Sequence, residues 1–185
     1  MPKKKYNDAQ SILDMGEHRH IIFTDGSCQP NNRSIKSRAG YAACFVSGPL
    51  TDQLIYGNLD MSAYNASNIR AEGMAIVRAL EYIYEQTKNI NSIKEKWRKI
   101  TVVTDCEFWI NMVESYMPRW DSDKFKEKAN PDLTQRMWTI YNKLSHQTEV
   151  KFMHVKSHNK EGWRDCEDGT FEKYCYEQND YVDKL

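Results

Sequence analysis

The sequence has no long hydrophobic run, no excess of either charge and few cysteines. No stretch approaches the roughly 18 apolar residues of a membrane-spanning helix, so we expect no contact with a membrane. The 26 basic residues are balanced by 26 acidic ones, which excludes a uniformly basic protein that coats nucleic acid. The five cysteines are widely spread and lack C-x-x-C spacing, so they indicate neither a zinc site nor a disulfide framework. We therefore expect a reducing, intracellular compartment, the cytoplasm or the nucleus.

The length and composition indicate one folded domain preceded by a polar segment. Of the 185 residues, 40% are apolar and 12% are aromatic, and a disordered chain would be poorer in aromatic residues. Residues 1–17 are polar and lysine-rich at the front, which predicts a tail. Residues 18–185 are predicted to form a single domain that is a monomer.

Apolar runs and amphipathic segments alternate in the order β β β α β α α β α. Three short β-branched runs before residue 60 predict an antiparallel meander. Asn68 begins a predicted helix, whose apolar stripe recurs at Ile69, Ile76, Leu80 and Ile83. The strand KITVVTD follows that helix, which is the order of a crossover onto the same sheet. We expect an α/β fold with a mixed five-stranded sheet flanked by helices.

After the strand KITVVTD, the chain is predicted to contain three helices and one more strand. Residues 106–116 are predicted to form a short helix that ends before Pro118, and residues 118–130 a mixed-charge loop. A helix over residues 131–144 begins with a proline, as helices often do. The run EVKFMHV predicts the last strand, and residues 156–179 are irregular before a short final helix.

Two of the predicted strands end in Thr-Asp, which places Asp25 and Asp105 at the edge of the core. A buried, ionised carboxylate is costly unless it is paired or bound to a metal ion. A turn residue is the alternative interpretation for Asp25, and a helix N-cap is the alternative for Asp105. Two such strands in one small sheet favour a shared site.

Two further acids complete a candidate metal site. Glu72 lies on the helix stripe with Ile76 and Ile83, although an acid favoured by the helix N-terminus is the alternative interpretation. Asp183 lies near the end of the chain in NDYVDKL, with Asp180 as the competing choice. Converging carboxylates repel one another without a cation, and their hard oxygen ligands suit magnesium. Two such ions would clamp a phosphodiester for in-line attack.

Five motifs in order resemble the signatures of type 1 ribonuclease H, namely FTDGSC, NIRAEGMAI, VTDCEFWIN, MHVKSH and NDYVDKL. They are spread over residues 20–185, so the resemblance covers nearly the whole predicted domain. It implies a ribonuclease H-like fold and a magnesium-dependent endonuclease that cuts the RNA strand of RNA–DNA hybrids. It also implies two Mg²⁺ ions, for which Mn²⁺ substitutes, and products with 5′-phosphate and 3′-hydroxyl ends.

The resemblance gives roles to the residues at matching positions. Asp25, Glu72, Asp105 and Asp183 match the metal-binding acids of the family, with Asp25 bridging both ions. His158 matches a loop histidine that moves protons or helps the product to leave. The stretch between His158 and Asp183 is longer than is usual in the family. Its residues 159–178 are interpreted as a lid that carries His158, as a docking surface for a partner, or as a disordered loop.

The resemblance also predicts contacts with the hybrid. The predicted substrate-binding residues are Gly26, Ser27, Cys28, Asn31, Ser67, Asn68 and Trp120. Backbone N–H groups of the first three would donate to a 2′-hydroxyl or a phosphate, and Trp120 matches an aromatic residue of the DNA-strand channel. Three nearby lysines would attract phosphates, and these are Lys124, Lys126 and Lys128.

Two other functions fit a protein of this fold. One is a non-catalytic module that binds hybrids, and the presence of all four acids argues against it. The other is a DNA-directed nuclease such as a junction resolvase or an integrase-like core, and the combination of TDGS, RAE, TD and Asn-x-x-x-Asp argues against that function.

Overall fold

Five strands form one mixed sheet. The computed structural model of the chain describes residues 19–29, 38–47, 50, 53–59, 68–88, 99–128 and 130–154. The strands are β1 (Arg19–Gln29), β2 (Arg38–Ser47), β3 (Leu54–Asn58), β4 (Lys99–Thr104) and β5 (Val150–His154). Their order across the sheet is β3-β2-β1-β4-β5. The pairs β1–β2 and β2–β3 are antiparallel, and β1–β4 and β4–β5 are parallel, which confirms the predicted fold class.

The register of the two central strands brings the two Thr-Asp sequences to one level. Phe23 of β1 pairs with Val103 of β4 in the parallel ladder. Asp25 and Asp105 each lie two residues further along, and residues two apart in a strand point to the same face. The two acids therefore lie side by side at the carboxyl edge of the parallel strands, where β4 ends. The prediction that the first strand also ends at its Thr-Asp is wrong, because β1 continues past Asp25 to Gln29 through its pairing with β2.

Helix α1 (Asn68–Thr87) packs on the sheet through the apolar stripe that its sequence predicts. Ile76, Leu80 and Ile83 are buried in the main core. Ile69 was predicted to belong to the same stripe, but its side chain is 39% exposed. This prediction is wrong because the buried side chains of the first turn are those of Arg70, Ala71 and Glu72 instead, so apolar periodicity alone does not imply burial there.

The segment after β4 is less regular than its sequence predicts. Helix α2 (Glu107–Asn111) continues as a π-helical turn (Met112–Tyr116) and then a 3₁₀ turn (Met117–Arg119). The predicted helix over residues 106–116 is therefore α-helical only in its first half. Pro118 lies inside the 3₁₀ turn, since a proline in the first turn of a helix removes no internal hydrogen bond.

The predicted loop over residues 118–130 is wrong in its middle. Helix α3 (Ser122–Glu127) lies there, and the Asp121 carboxylate caps it by accepting from the backbone N–H of Lys124 at 2.8 Å. One apolar side chain, Phe125, anchors this helix in the core. Helix α4 (Pro131–Ser145) follows and begins with its proline, as predicted.

The main core lies between the sheet and helices α1, α2 and α4. Its largest fully buried side chains include Trp109, Phe45, Leu80 and Leu133. Within the described ranges, none of the helices has the length and hydropathy of a membrane span.

Candidate active site

Three acidic side chains from three elements converge at the carboxyl edge of the sheet. Carboxylate oxygens of Asp25 on β1, Glu72 on α1 and Asp105 after β4 all lie within 4.8 Å of one another. Asp25 and Glu72 are buried, and Asp105 is half-buried. The fold thus brings together three of the four acids that the sequence singled out.

The close approach of β1 to α1 depends on the absence of a side chain at Gly26. A Cβ atom added to Gly26 would collide with the backbone of Ala71 and Glu72. The backbone N–H of Gly26 also donates to Oδ1 of Asp25 at 2.9 Å. Gly26 therefore lets the strand of Asp25 touch the helix of Glu72, and it holds one oxygen of the Asp25 carboxylate.

Glu72 is the acid whose environment departs most from water. Burial raises the pKa of Glu72 well above its ordinary value of 4.5, and the negative charges of Asp25 and Asp105 raise it further. Its Oε2 atom is buried and has no hydrogen-bond partner among the residues that the structure describes. A cation among the three carboxylates would relieve both the burial and the repulsion.

The ligand chemistry of the cluster fits a hard divalent cation. Carboxylate oxygens are the ligands that magnesium and manganese take in proteins, usually together with substrate phosphate. The three oxygens lie close enough to share one ion, and the buried Oε2 of Glu72 is a ready ligand. The cluster can therefore hold a metal ion.

Arg70, to which the sequence gave no role of its own, ties the helix of Glu72 to α4. Its buried guanidinium donates to both carboxylate oxygens of Asp132, at 3.0 and 2.7 Å, and to Oδ1 of Asn130 at 3.2 Å. These hydrogen bonds lower the pKa of the Asp132 carboxyl. Asn130 has a φ of 54°, a left-handed conformation that asparagine tolerates better than most residues. The partners are far apart in sequence, so no local pattern could reveal the contact.

The chain around Asp105 is held from both sides. The backbone N–H of Cys106 donates to Oγ1 of Thr104 at 3.0 Å. Nε2 of His154, the last residue of β5, lies 3.1 Å from the backbone carbonyl oxygen of Asp105. The end of β4 is thereby linked to the end of the neighbouring strand.

The structure describes some of the predicted site residues and leaves others outside its described ranges. Gly26, Ser27 and Cys28 belong to β1, where they pair with β2. The N–H of Gly26 is already engaged by Asp25. Asn68 is exposed at the first residue of α1, one turn before Glu72. Four predicted site residues lie outside the described residues, namely Asn31, Ser67, His158 and Asp183.

Trp120 and three lysines form a second candidate surface, which we call the Trp120 surface (Trp120, Lys124, Lys126 and Lys128). The half-buried Trp120 ring packs edge-on against Phe125, with 5.2 Å between ring centroids. Nζ of Lys128 lies 5.2 Å from the Trp120 ring centroid, within the range of a cation–π contact. Helix α3, which the sequence did not predict, directly follows Trp120 and Asp121 and carries Lys124 and Lys126, both of which are exposed.

The sheet order and the acid cluster define an α/β protein with a candidate metal site between β1, the end of β4 and helix α1. The family model described as RNase H matches residues 17–184. The chain therefore belongs to the RNase H family and is an enzyme of the ribonuclease H type, as its motifs predict.

Relatives and a solved structure agree with this assignment. The Ribonuclease H of Neorickettsia sennetsu is 22% identical over 155 residues, which cover 83% of this chain and 91% of that protein. The Ribonuclease HI of Campylobacter jejuni is 27% identical over 146 residues, or 76% of this chain and 81% of that protein. The crystal structure of the prototype foamy virus protease-reverse transcriptase superposes with a TM-score of 0.62 at 15% identity, covering 91% of this chain and 21% of that one. This last likeness shows a shared fold.

Proposed function

We propose that this protein hydrolyses the RNA strand of RNA–DNA hybrids and leaves 5′-phosphate and 3′-hydroxyl ends. The observation that carries the proposal is the convergence of Asp25, Glu72 and Asp105 within 4.8 Å in a chain of the RNase H family. The names of the bacterial relatives, Ribonuclease H and Ribonuclease HI, support the same reaction.

Two Mg²⁺ ions, for which Mn²⁺ substitutes, are the proposed cofactors. Asp25, Glu72 and Asp105 would hold them together with Asp183. When bound, the ions supply stabilisation of the charge that develops on the scissile phosphate. The protein's part is to fix the positions of the ligand oxygens. Burial restricts the Glu72 side chain, and the N–H of Gly26 donates to Oδ1 of Asp25.

The remaining residues are proposed to move a proton and to bind the hybrid. His158 would transfer a proton near the scissile phosphate. Asn68 is exposed one turn before Glu72, and with Ser67 and Asn31 it would contact the minor groove, which displays the 2′-hydroxyls of an A-form-like duplex. Of the consecutive backbone N–H groups of residues 27 and 28, the one that the β1–β2 ladder does not use would assist these contacts.

The Trp120 surface is proposed to bind the DNA strand. An aromatic face and several ammonium groups are the combination that binds a nucleic-acid strand without reading its sequence. Lys124 and Lys126 are exposed, so their charges are available to phosphates.

The deciding experiment compares Asp105→Asn with Glu85→Gln on a labelled RNA–DNA hybrid, with Mg²⁺ and with a chelator. Asp105→Asn removes one ligand charge, and we expect cleavage to fall by about a thousand-fold, or about 4 kcal/mol of barrier. Glu85 is exposed near the far end of α1, beside Lys88, so Glu85→Gln should cleave like the wild type. Cleavage by the wild type should require Mg²⁺.

The same assay separates the alternative functions. Hybrid binding without cleavage by the wild type would support a non-catalytic module. Preferential cutting of a DNA duplex would support a DNA-directed nuclease. Near-normal hybrid cleavage by Asp105→Asn would contradict the assignment of the acid cluster.

A further inference from the structure

We propose that Trp109 is a positioning residue that fixes the separation between Glu72 and Asp105. This inference rests on the proposed metal site, and it concerns side chains that do not themselves bind the metal. Trp109 lies on α2, four residues after Asp105, and its side chain is fully buried. It contacts the first turns of α1, which carry Glu72, and so links two of the three acids.

The first contact is a hydrogen bond across the two elements. Nε1–H of Trp109 donates to the backbone carbonyl of Ile69 at 2.6 Å. Ile69 lies three residues before Glu72, which is almost one helical turn. A buried indole N–H usually finds an acceptor. Here the acceptor is a backbone carbonyl of α1, so the hydrogen bond ties α2 directly to the turn that carries Glu72.

The second contact is the close packing of the indole on Gly73, the residue after Glu72. A Cβ atom at Gly73 would lie 2.5 Å from Cε2 and Cζ2 of Trp109 and 2.8 Å from Nε1. Glycine inside a helix is less favourable than alanine, because it loses more conformational freedom on folding. The indole of Trp109 therefore occupies the space that a side chain at position 73 would need. The glycine at 73 and the large ring at 109 fit together.

These contacts bracket Glu72 on its own helix. Ile69 and Gly73 lie on either side of it in sequence, and both are pressed against a ring that follows Asp105 by one turn. A shift of α1 relative to α2 would break the hydrogen bond or open a gap beside Gly73. Because interiors are close-packed, such gaps are unfavourable. Trp109 thus holds the two carboxylates at a spacing that suits a shared cation.

The test measures metal binding directly, by calorimetric titration of Mn²⁺ into the full chain without hybrid. Trp109→Phe removes the N–H donor and shortens the ring, and we expect the Mn²⁺ Kd to rise about tenfold. Leu144→Ala is the control, because Leu144 is fully buried in α4 and far along the chain from the acids. Its truncation should lower the Tm at least as much and leave the Mn²⁺ Kd within twofold of the wild type.

A second pair of variants tests the match between the two positions. Gly73→Ala alone should raise the Mn²⁺ Kd at least tenfold, because the added methyl group displaces the indole. Gly73→Ala made in the Trp109→Phe variant should raise it by threefold or less, since the smaller ring leaves room. Equal effects of Gly73→Ala in both backgrounds would overturn the matched packing.

The outcomes distinguish this inference from the proposed function. Mn²⁺ binding by the wild type with an unchanged Kd in Trp109→Phe overturns the positioning role alone. An equal rise in Kd in Leu144→Ala also overturns it, because general loosening of the fold would then explain the effect. Absence of Mn²⁺ binding by the wild type overturns both the positioning role and the metal site.

Discussion

Glu72 makes the folded, metal-free protein sensitive to pH. Burial first, and then the charges of Asp25 and Asp105, favour the protonated form of Glu72 in the folded state. In the unfolded chain the same carboxyl is hydrated, with a pKa near its ordinary value of 4.5. The stability that this group contributes is therefore fully present below about pH 4.5 and is lost as the pH rises through the raised pKa.

Replacing Glu72 by glutamine should stabilise the metal-free protein at neutral and alkaline pH. The substitution keeps the shape and removes a buried carboxyl whose ionisation is unfavourable beside two others, so we expect the Tm at pH 8 to rise by about 2–4 °C, the shift that about 1 kcal/mol produces at this size. The Tm difference should shrink towards pH 4.5. Thermal unfolding with a chelator from pH 4.5 to 8 measures it, and a lower Tm for Glu72→Gln at pH 8 would contradict the electrostatic argument.

The acids were predictable from the sequence, whereas the residues that support them were not. Asp25 lies within the buried part of β1, Asp105 directly follows β4, and Glu72 interrupts an apolar helical stripe, so each acid is conspicuous within its own segment. Arg70 and Trp109 depend on partners in other elements, Asp132 and the carbonyl of Ile69. Local sequence patterns carry no information about such distant partners.

At the scale of elements, the contact between β1 and α1 positions Asp25 relative to Glu72. The strand and the helix touch through backbone atoms at Gly26. Burial of Ile76 and Leu80 holds the rest of the helix on the sheet. Backbone atoms therefore fix the distance between β1 and α1 beside the acids. A change of side-chain conformation cannot alter that distance.

Gly26→Ala should damage the site more than a glycine substitution elsewhere in the same sheet. Its methyl group would meet backbone atoms of α1, and overpacking of this kind costs about 1–3 kcal/mol. Gly57→Ala is the matched control, because its Cβ would meet mainly the terminal atoms of the Tyr41 ring, which can move. We expect at least a hundredfold loss of hybrid cleavage at saturating Mg²⁺ for Gly26→Ala, and less than threefold for Gly57→Ala. Equal losses of cleavage in the two variants would contradict the role of the contact between β1 and α1.

The regular elements were predictable where they are long or strongly apolar. All five strands and helices α1 and α4 follow from apolar periodicity and turn signals. Helix α3 did not, because it is short and has a single buried apolar residue, Phe125. Its one local signal is the capping residue Asp121, which also fits a loop.

At the scale of the whole molecule, a net charge of zero conceals separated charges. The acid cluster lies at the carboxyl edge of the sheet, and the Trp120 surface presents lysines from α3 and its C-terminal end. A neutral protein of this kind should bind a polyanion through a local surface rather than through its overall field.

The salt dependence of hybrid binding should reveal that surface. Lys124→Gln, Lys126→Gln and Lys128→Gln combined should reduce the slope of log K against log salt by up to about 2–3, since each phosphate contact contributes about 0.9. The control combines Lys88→Gln, Lys99→Gln and Lys143→Gln, which removes the same charge from other exposed positions. Both sets are measured by hybrid binding in the Asp105→Asn variant, whose slow cleavage should leave the hybrid intact during the measurement. An equal change in slope for the two sets would contradict a local surface.

The parallel pairing of β1 with β4 also bears on how the protein folds. Arg19 of β1 lies opposite Lys99 of β4, so the helix of Glu72 and its flanking segments lie within the loop that this pairing closes. Closing a long loop is entropically unfavourable, and such non-local contacts slow the folding of a chain. The hairpin of β1 and β2 could form early and would still lack Asp105. Metal binding during refolding should therefore require the pairing of β1 with β4. The capacity to bind the metal should return no faster than the slowest step of that pairing.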